Sequence, residues 1–143
     1  MDESILEIKE YTDEGYKPLV DYGDWRVAIL RYIDELIPDR IAYLERHLET
    51  DEVFVLLAGQ GVLFFGGNGA RLEPLCSQVM EPGKLYNVKK NAWHNIVLSR
   101  DATVLLVENR NTAEVNTEYW TLQPEHREFI VETARREQPE WWK

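Results

Sequence analysis

Residues 43–59 limit the possible folds of this chain most, because they place a histidine and two carboxylates on short, mostly apolar segments. Glu45 and His47 are two residues apart, so they project from the same face if this segment is a strand. Glu52 follows after a short polar break and opens the apolar run of residues 53–58. The pattern predicts a pair of strands that carries ionisable side chains.

Short apolar segments separated by turn residues recur along the chain, without helical crossovers between them. We expect strands at residues 25–33, 41–48, 53–58, 62–65, 71–80, 84–88, 94–98 and 103–107. Residues 28–36 also fit a helix, since short apolar runs are ambiguous by periodicity. Residues 5–10 fit a short edge strand, and residues 12–24 and 109–118 are expected to be loops. So many short strands predict an antiparallel sandwich or barrel.

The character of the sequence changes after residue 108. Pro124 stands at the expected start of a helix and acidic residues follow it, as is typical of a first turn. One face of this helix would carry Phe129, Ile130, Thr133 and Ala134. The pattern predicts a helix over about residues 124–137. Trp141 and Trp142 are expected to pack on the barrel or on a second subunit, because paired tryptophans seldom stay in water.

Length and charge narrow the class of protein. At 143 residues the chain is expected to form a single domain, residues 1–143, with a barrel core at about residues 25–108. A net charge of -10 disfavours binding to nucleic acid or to an anionic membrane. The single cysteine excludes an internal disulfide, and no signal peptide or membrane-spanning run is evident. We expect a cytoplasmic protein whose partner is a small molecule.

The spacing within residues 43–59 resembles the first motif of the cupin superfamily, G-x5-H-x-H-x4-E-x6-G. Glu45 stands at the first histidine of that motif, and His47 stands at the second. Glu52 stands at the glutamate and Gly59 at the final glycine. The resemblance implies the cupin fold, an all-β double-stranded β-helix or jelly-roll barrel, here with a C-terminal α-helix.

The second cupin motif, G-x5-P-x-G-x2-H-x3-N, is matched in part further along the chain. Gly83 and His94 stand in register with its first glycine and its histidine. Lys89, Asn91 and Leu98 stand where the motif has proline, glycine and asparagine. The resemblance therefore covers about residues 41–108.

In metal-binding cupins these positions hold three histidines and one glutamate around a divalent ion. The resemblance therefore implies that Glu45, His47, Glu52 and His94 converge, with Glu45 in place of one histidine. Two imidazoles and two carboxylates suit one divalent ion such as Mn, Fe, Ni or Zn. In the alternative without an ion, His47 and Glu52 form a hydrogen-bonded pair. The close carboxylates then repel, and one carboxyl pKa rises towards neutrality.

Two shorter segments resemble ureidoglycolate lyase. L-E-R-H at residues 44–47 and N-V-K-K-N-A-W-H at residues 87–94 parallel E-R-H and N-Y-H-R-G-V-W-H of that family. The matches are Glu45, Arg46, His47, Asn87, Trp93 and His94. The chain departs at Val88, Lys89 and Asn91. That family cleaves ureidoglycolate to glyoxylate and urea, an elimination that needs a base for the hydroxyl group and an acid for the leaving nitrogen.

On this resemblance, His47 or Glu45 is the catalytic base, and His94 or Lys90 is the catalytic acid. An oxoacid product also needs a cation for its carboxylate. Lys90 is our first choice and Lys89 a second, because Arg46 alternates with the site residues and should face away.

Tyr43 and Tyr86 are further candidates for substrate contact, although core packing would also explain them. Trp93 precedes His94, so on a strand it faces the opposite way and is expected to be a packing anchor.

The sequence therefore predicts a cupin-type enzyme on a small polar, carboxylate-bearing metabolite, resembling a carbon–nitrogen lyase. One alternative is a non-catalytic cupin that binds a small sugar or acid; another is a metal-dependent isomerase or dioxygenase. A homodimer is expected, since cupin barrels commonly pair through outer sheet faces and residues 53–58 are apolar on both faces.

Overall fold

The computed structural model describes residues 1–137, and in them it shows two five-stranded antiparallel sheets and one α-helix, α1, at Pro124–Glu137. The strands are β1 Gly15–Tyr22, β2 Trp25–Arg31, β3 Tyr43–His47, β4 Glu52–Ala58, β5 Gly61–Phe65, β6 Cys76–Val79, β7 Leu85–Val88, β8 His94–Leu98, β9 Thr103–Asn109 and β10 Thr117–Thr121. Single 3-10 turns occupy Asp34–Leu36 and Glu114–Asn116. The packing expected of Trp141 and Trp142 lies outside the described residues.

The first sheet has the strand order β1-β2-β9-β4-β7, and the second has the order β10-β3-β8-β5-β6. Strands distant in sequence are therefore neighbours, because the chain crosses repeatedly between the two sheets. This topology confirms the prediction of an all-β jelly roll with a C-terminal helix. The described strands form two open sheets that face each other, and they do not close into one continuous barrel.

Apolar side chains form two buried layers. One lies between the sheets and includes Leu63 of β5 together with Phe54 and Leu106. The other lies between the second sheet and α1, where Phe64 of β5 packs against Phe129 with ring centroids 6.2 Å apart. Strand β5 is apolar on both faces because each of its faces contributes to one of these layers.

Most of the expected strands are found, among them the strand expected at residues 25–33, but two assignments and one alternative were wrong. The loop expected at residues 12–24 contains β1, an edge strand whose exposed side reads as polar sequence. The helix considered for residues 28–36 is instead β2 followed by a 3-10 turn. The strand expected at residues 5–10 is absent from the described structure, and that segment belongs to neither sheet.

Two further boundaries moved. The strand expected at residues 71–80 shortens to β6, because residues 66–75 form a wide loop instead of a tight hairpin. The loop expected at residues 109–118 overlaps the first two residues of β10, which pairs with β3. Among residues 1–137, no helix combines the length and the apolar character needed to cross a bilayer.

Gly59 lies between β4 and β5, where the backbone of another segment packs closely against it. Its φ is 72°, and a Cβ there would lie 2.6 Å from Cα of Ala102. Gly23 is a matched control, since its φ is 55° but an added Cβ meets nothing within 4 Å. We expect Gly59→Ala to lower the free energy of unfolding by more than about 2 kcal/mol, and Gly23→Ala by about 1 kcal/mol. Urea unfolding followed by tryptophan fluorescence measures both, and equal losses would contradict the close approach at Gly59.

Candidate functional site

Three strands bring the four residues of the cupin-like motifs to one place. Glu45 and His47 lie on β3, Glu52 opens β4 and His94 opens β8. Each side chain offers one donor atom, and these four atoms lie within 4.8 Å of one another. Glu45 and His94 are directly paired across β3 and β8, so the register of the sheet fixes two of the four positions. The convergence expected from the resemblance is therefore present, while the catalytic roles stay predictions.

Glu52 lies at the centre of this group. Its Oε1 is 3.0 Å from Nε2 of His94 and 3.3 Å from Nε2 of His47. Oε1 of Glu45 is farther away, 3.8 Å from the same nitrogen of His47. Glu52, His94 and His47 are buried, whereas Glu45 is the most exposed of the four. Three side chains of the site are therefore buried, and the Glu45 carboxylate lies at its more exposed side.

Hydrogen bonds on the far side of each imidazole orient the two rings. Nδ1–H of His94 donates to the carbonyl oxygen of Ala92 at 2.9 Å, and Nδ1 of His47 lies 2.9 Å from Oγ1 of Thr117. A backbone carbonyl only accepts, so the His94 bond fixes a proton on Nδ1 and leaves Nε2 to face Glu52. This outer support is typical of metal-ligating histidines.

One buried nitrogen at the centre lacks a hydrogen bond. Nε2 of His47 is buried and has no hydrogen-bond partner among the described residues. Its closest charged neighbour is Oε1 of Glu52 at 3.3 Å, an ion-pair contact and not a hydrogen bond. Buried polar atoms are nearly always paired, so this nitrogen marks a place where an additional group would bind.

Burial and the charge of Glu52 together determine the pKa shifts in this group. Burial alone would raise the pKa of Glu52, but the two neighbouring imidazoles outweigh it and hold this pKa far below its usual range. Burial alone would lower the pKa of His47 and of His94, and the Glu52 carboxylate reverses this, so both values are raised. Burial raises the pKa of Glu45. Without an ion, the Glu52 carboxylate therefore favours the protonated form of both rings, and the rings in turn favour its charged form.

Sequence reasoning missed Glu108 and Tyr16, which lie beside this group. The hydroxyl of Tyr16 on β1 donates to Oε1 of Glu108 on β9 at 2.5 Å. Glu108 is buried, and burial together with the charge of Glu52 raises its pKa to about 8. A signal was available for Glu108, because it continues the buried alternation of Val104 and Leu106. No comparable sequence signal pointed to Tyr16, because its segment has the composition of a loop.

These side chains line a cavity of about 430 Å³ between the sheets. Leu30, Phe54, Ile96 and Leu106 form its apolar wall. Tyr43 and Tyr119 also line it and meet edge to face with ring centroids 5.0 Å apart. Arg26 is the one lysine or arginine among the lining residues, and its Nε donates to Asp21 at 3.0 Å. The placement of Tyr43 agrees with its predicted contact with substrate.

The other three predicted substrate or catalytic residues lie outside this cavity. Nζ of Lys89 is 3.7 Å from a carboxylate oxygen of Asp51, and the backbone N–H of Lys90 donates to the same side chain at 2.8 Å. The hydroxyl of Tyr86 accepts a hydrogen bond from the backbone of Glu81. Both lysine side chains are exposed, so the predicted roles of Lys90, Lys89 and Tyr86 gain no support from their positions.

Arg46 and Trp93 face the opposite side of the sheet, as the alternation predicts. The guanidinium of Arg46 lies 4.4 Å from the centre of the Trp93 ring and pairs with Glu118 at 2.7 Å. Trp93 is buried in the layer under α1. Both residues match the lyase-like segments, yet both serve packing here.

Comparisons of the sequence with protein-family models and with curated proteins give no match. The fold, in contrast, is similar to solved structures. A cupin-2 domain protein from Shewanella frigidimarina has a TM-score of 0.52 at 15% identity, covering 70% of this chain and 85% of that one. The capsular polysaccharide assembling protein CapF from Staphylococcus aureus has a TM-score of 0.55 at 16% identity, covering 86% of this chain and 34% of CapF.

The nucleoside dehydratase Pac13 is a third similar structure. It has a TM-score of 0.50 at 11% identity, and the match covers 82% of this chain and 88% of Pac13. Likeness at such identities shows the fold alone. The chain therefore has the cupin fold, with a histidine and glutamate group in the place where the fold brings strands β3, β4 and β8 together.

Glu52→Gln tests the electrostatic account, because it removes the charge while keeping the shape of the side chain. We expect the pKa of His94 and of His47 to fall by about one unit or more in the metal-free protein. Histidine-ring NMR titration measures both values. Glu49→Gln is the matched control, since the Glu49 carboxylate is exposed and only approaches Asn111. Unchanged histidine pKa values in Glu52→Gln would contradict the account.

Proposed function

We propose that this chain is a cupin enzyme that binds one divalent metal ion with Glu45, His47, Glu52 and His94. The observation that carries the proposal is the convergence of these four donor atoms within 4.8 Å of one another, among them the buried Nε2 of His47, which makes no hydrogen bond within the described residues. Two carboxylates neutralise a divalent ion, and nitrogen and oxygen donors without a thiolate suit Mn²⁺, Fe²⁺, Ni²⁺ or Zn²⁺. His47, Glu52 and His94 form the buried part of the set.

The substrate in this proposal is a small polar metabolite with a carboxylate group. The cavity is lined by the carboxylates of Glu45, Glu52 and Glu114 and by Glu108, whose raised pKa favours its neutral form, against one guanidinium, that of Arg26. An anionic substrate would be repelled by this surplus unless a cation stands between it and the protein. The bound ion supplies that positive charge. The absence of nucleic-acid and membrane partners and the cytoplasmic location stay predictions.

The finer proposal is a carbon–nitrogen lyase that resembles ureidoglycolate lyase. Glu45 is the base, because it is the most exposed of the four donors and burial raises its pKa. It removes the proton of the substrate hydroxyl, the C–N bond breaks and a carbonyl forms. In the metal-free chain, burial and the charge of Glu52 raise the pKa of Glu108 to about 8, and in this proposal Glu108 is the acid that gives its proton to the leaving nitrogen. Glu108 thus replaces Lys90 and His94 as the acid.

Metal content is the first test. Protein purified without chelator or affinity metal should contain one metal ion per chain by elemental analysis. We expect His47→Ala to weaken metal binding by more than about a hundredfold, since even supporting residues around a metal contribute ten- to a hundredfold. His126→Ala is the matched control, because His126 lies on α1 and accepts a hydrogen bond from the backbone of Gln123. Equal metal content in the two variants would contradict the ligand set.

Turnover is tested separately by glyoxylate release from ureidoglycolate. We expect Glu108→Gln to lower kcat by about 10²- to 10⁴-fold while the metal stays bound, because it removes one proton transfer and Glu108 is not one of the four proposed ligands. Glu118→Gln is the control, since its carboxylate pairs with Arg46 outside the cavity. A metal-loaded protein that binds small acids without turnover would favour the non-catalytic cupin, and activity with other metal-dependent substrates would favour an isomerase or dioxygenase.

A further inference from the structure

Two tyrosines stand at the exposed side of the cavity, next to the proposed metal ligands. Tyr119 of β10 is paired directly with Glu45 of β3, and Glu45 is paired with His94 of β8, so these residues form one row across the second sheet. Tyr43 lies two residues before Glu45 and projects from the same face. Both tyrosines line the cavity, yet Tyr43 is 40% exposed and Tyr119 is 48% exposed. We call these two residues the tyrosine pair.

The geometry of the tyrosine pair leaves aromatic faces open to a ligand. The two rings are nearly perpendicular, at 89°, with centroids 5.0 Å apart. Two perpendicular rings form a corner, and the face of an aromatic ring carries partial negative charge. Corners of this kind are the walls of the aromatic cages that bind organic cations. The tyrosine pair therefore has the shape and the charge of half such a cage.

Carboxylates surround the tyrosine pair. Glu45 and Glu114 line the same cavity. Burial is the largest cause of the raised pKa of Tyr43 and of Tyr119, and the charges of Glu45 and Glu114 raise both pKa values further. Both carboxylates are therefore close enough to act on the two rings, and they would act in the same way, with opposite sign, on a cation held there.

A bound divalent ion would not remove all of this negative charge. In the proposed metal site the ion offsets the carboxylates of Glu45 and Glu52, and the carboxylate of Glu114 keeps its charge. Glu114 is exposed, and its side chain makes no hydrogen bond or ion pair within the described residues. Arg26, the one guanidinium among the described lining residues, donates to Asp21. The exposed side of the cavity thus combines aromatic faces with a carboxylate that lacks a cationic partner in the described chain.

We propose that the substrate carries an organic ammonium group, which binds to the tyrosine pair and Glu114 while its carboxylate binds at the metal ligands. This inference rests on the proposed function, because it assigns the other end of the same substrate. A substituted ammonium group has a positive charge and an apolar surface. The cavity offers the complement of both, in its aromatic faces, its free carboxylate and its apolar wall. No bond of the ammonium group changes in this role, since the group only positions the substrate.

The row of paired residues sets the length of such a substrate. Glu45 lies between His94 and Tyr119, and neighbouring strands are about 4.8 Å apart, so the two ends bind roughly 5–10 Å apart. That distance fits a short acid whose cationic nitrogen stands several bonds from the carboxylate. A zwitterion of this kind uses both ends of the cavity, whereas the urea end of ureidoglycolate is neutral. The coarser proposal, a carbon–nitrogen lyase on a carboxylate-bearing metabolite, is unchanged.

Calorimetric titration of the full chain with two matched probes tests the role of the charge. One probe is butyrate with a terminal trimethylammonium group, and the other is the isosteric acid in which a tert-butyl group replaces it. The two probes differ in charge but hardly in shape. We expect the zwitterion to bind about fivefold more tightly or better, with a smaller difference at high salt, because salt screens the Glu114 charge. Equal affinities at low salt would overturn the proposal.

Variants locate the effect. Tyr119→Leu removes an aromatic face and Glu114→Gln removes the free charge, so each should weaken binding of the zwitterion about threefold or more and change that of the isosteric acid little. Tyr119→Phe keeps the ring and should restore the affinity of the unmodified chain. Tyr22→Leu is the matched control, because Tyr22 also forms an exposed aromatic pair, with Trp25 at 6.0 Å, but lies outside the cavity. Full affinity in Tyr119→Leu, or an equal loss in Tyr22→Leu, would contradict the site.

A probe without a carboxylate separates this inference from the proposed function. Tetramethylammonium chloride is titrated into the chelator-treated full chain, and the tyrosine ring signals are followed by NMR. Saturable shifts of Tyr43 and Tyr119, with the Tyr43 shift lost in Glu114→Gln, would support the ammonium site even in a chain that holds no metal and shows no turnover. A chain that binds one metal ion but shows no such shifts would retain the proposed metal site and overturn the ammonium site.

Discussion

The buried carboxylate of Glu52 is the charge on which the rest of the site depends. A carboxylate removed from water is stable in its charged form only when it is paired and hydrogen-bonded. His94 at 3.0 Å and His47 at 3.3 Å provide that pairing, and they come from two other strands. The requirement therefore links β3, β4 and β8 across both sheets. It also explains why the imidazoles carry raised pKa values although they are buried.

Strand alternation decides which side chains can join this group. On β3, Glu45 and His47 face the cavity, while Leu44 and Arg46 face the layer under α1. On β9, Glu108 continues the inward row, and its neighbour Val107 lies on the opposite side of the strand. A slip of one residue in either strand would exchange these sets. The same alternation thus places the ionisable group inside and leaves an aliphatic surface outside.

These particulars show how far the sequence predicts the structure. Same-face placement of Glu45 and His47 follows from their spacing, and the contact with Glu52 and His94 followed from the cupin resemblance. Lys90 could not be placed in this way, because a loop has no fixed alternation. Asn91 adopts a positive φ of 69° there, and Asp51 binds the backbone of Lys90. Tyr16 was missed because an edge strand with one exposed side has the composition of a loop.

In the proposed metal site, protons and a metal ion would compete for the same donors. Without an ion, the pKa values of His47 and His94 are raised, so both rings tend to hold protons that a metal must displace. Binding therefore releases protons, and metal affinity falls as the pH is lowered through those raised values. Glu52 gives little proton competition itself, because its pKa is already far below the usual range. The buried pairing that stabilises the empty site thus also sets the pH range in which the ion can replace it.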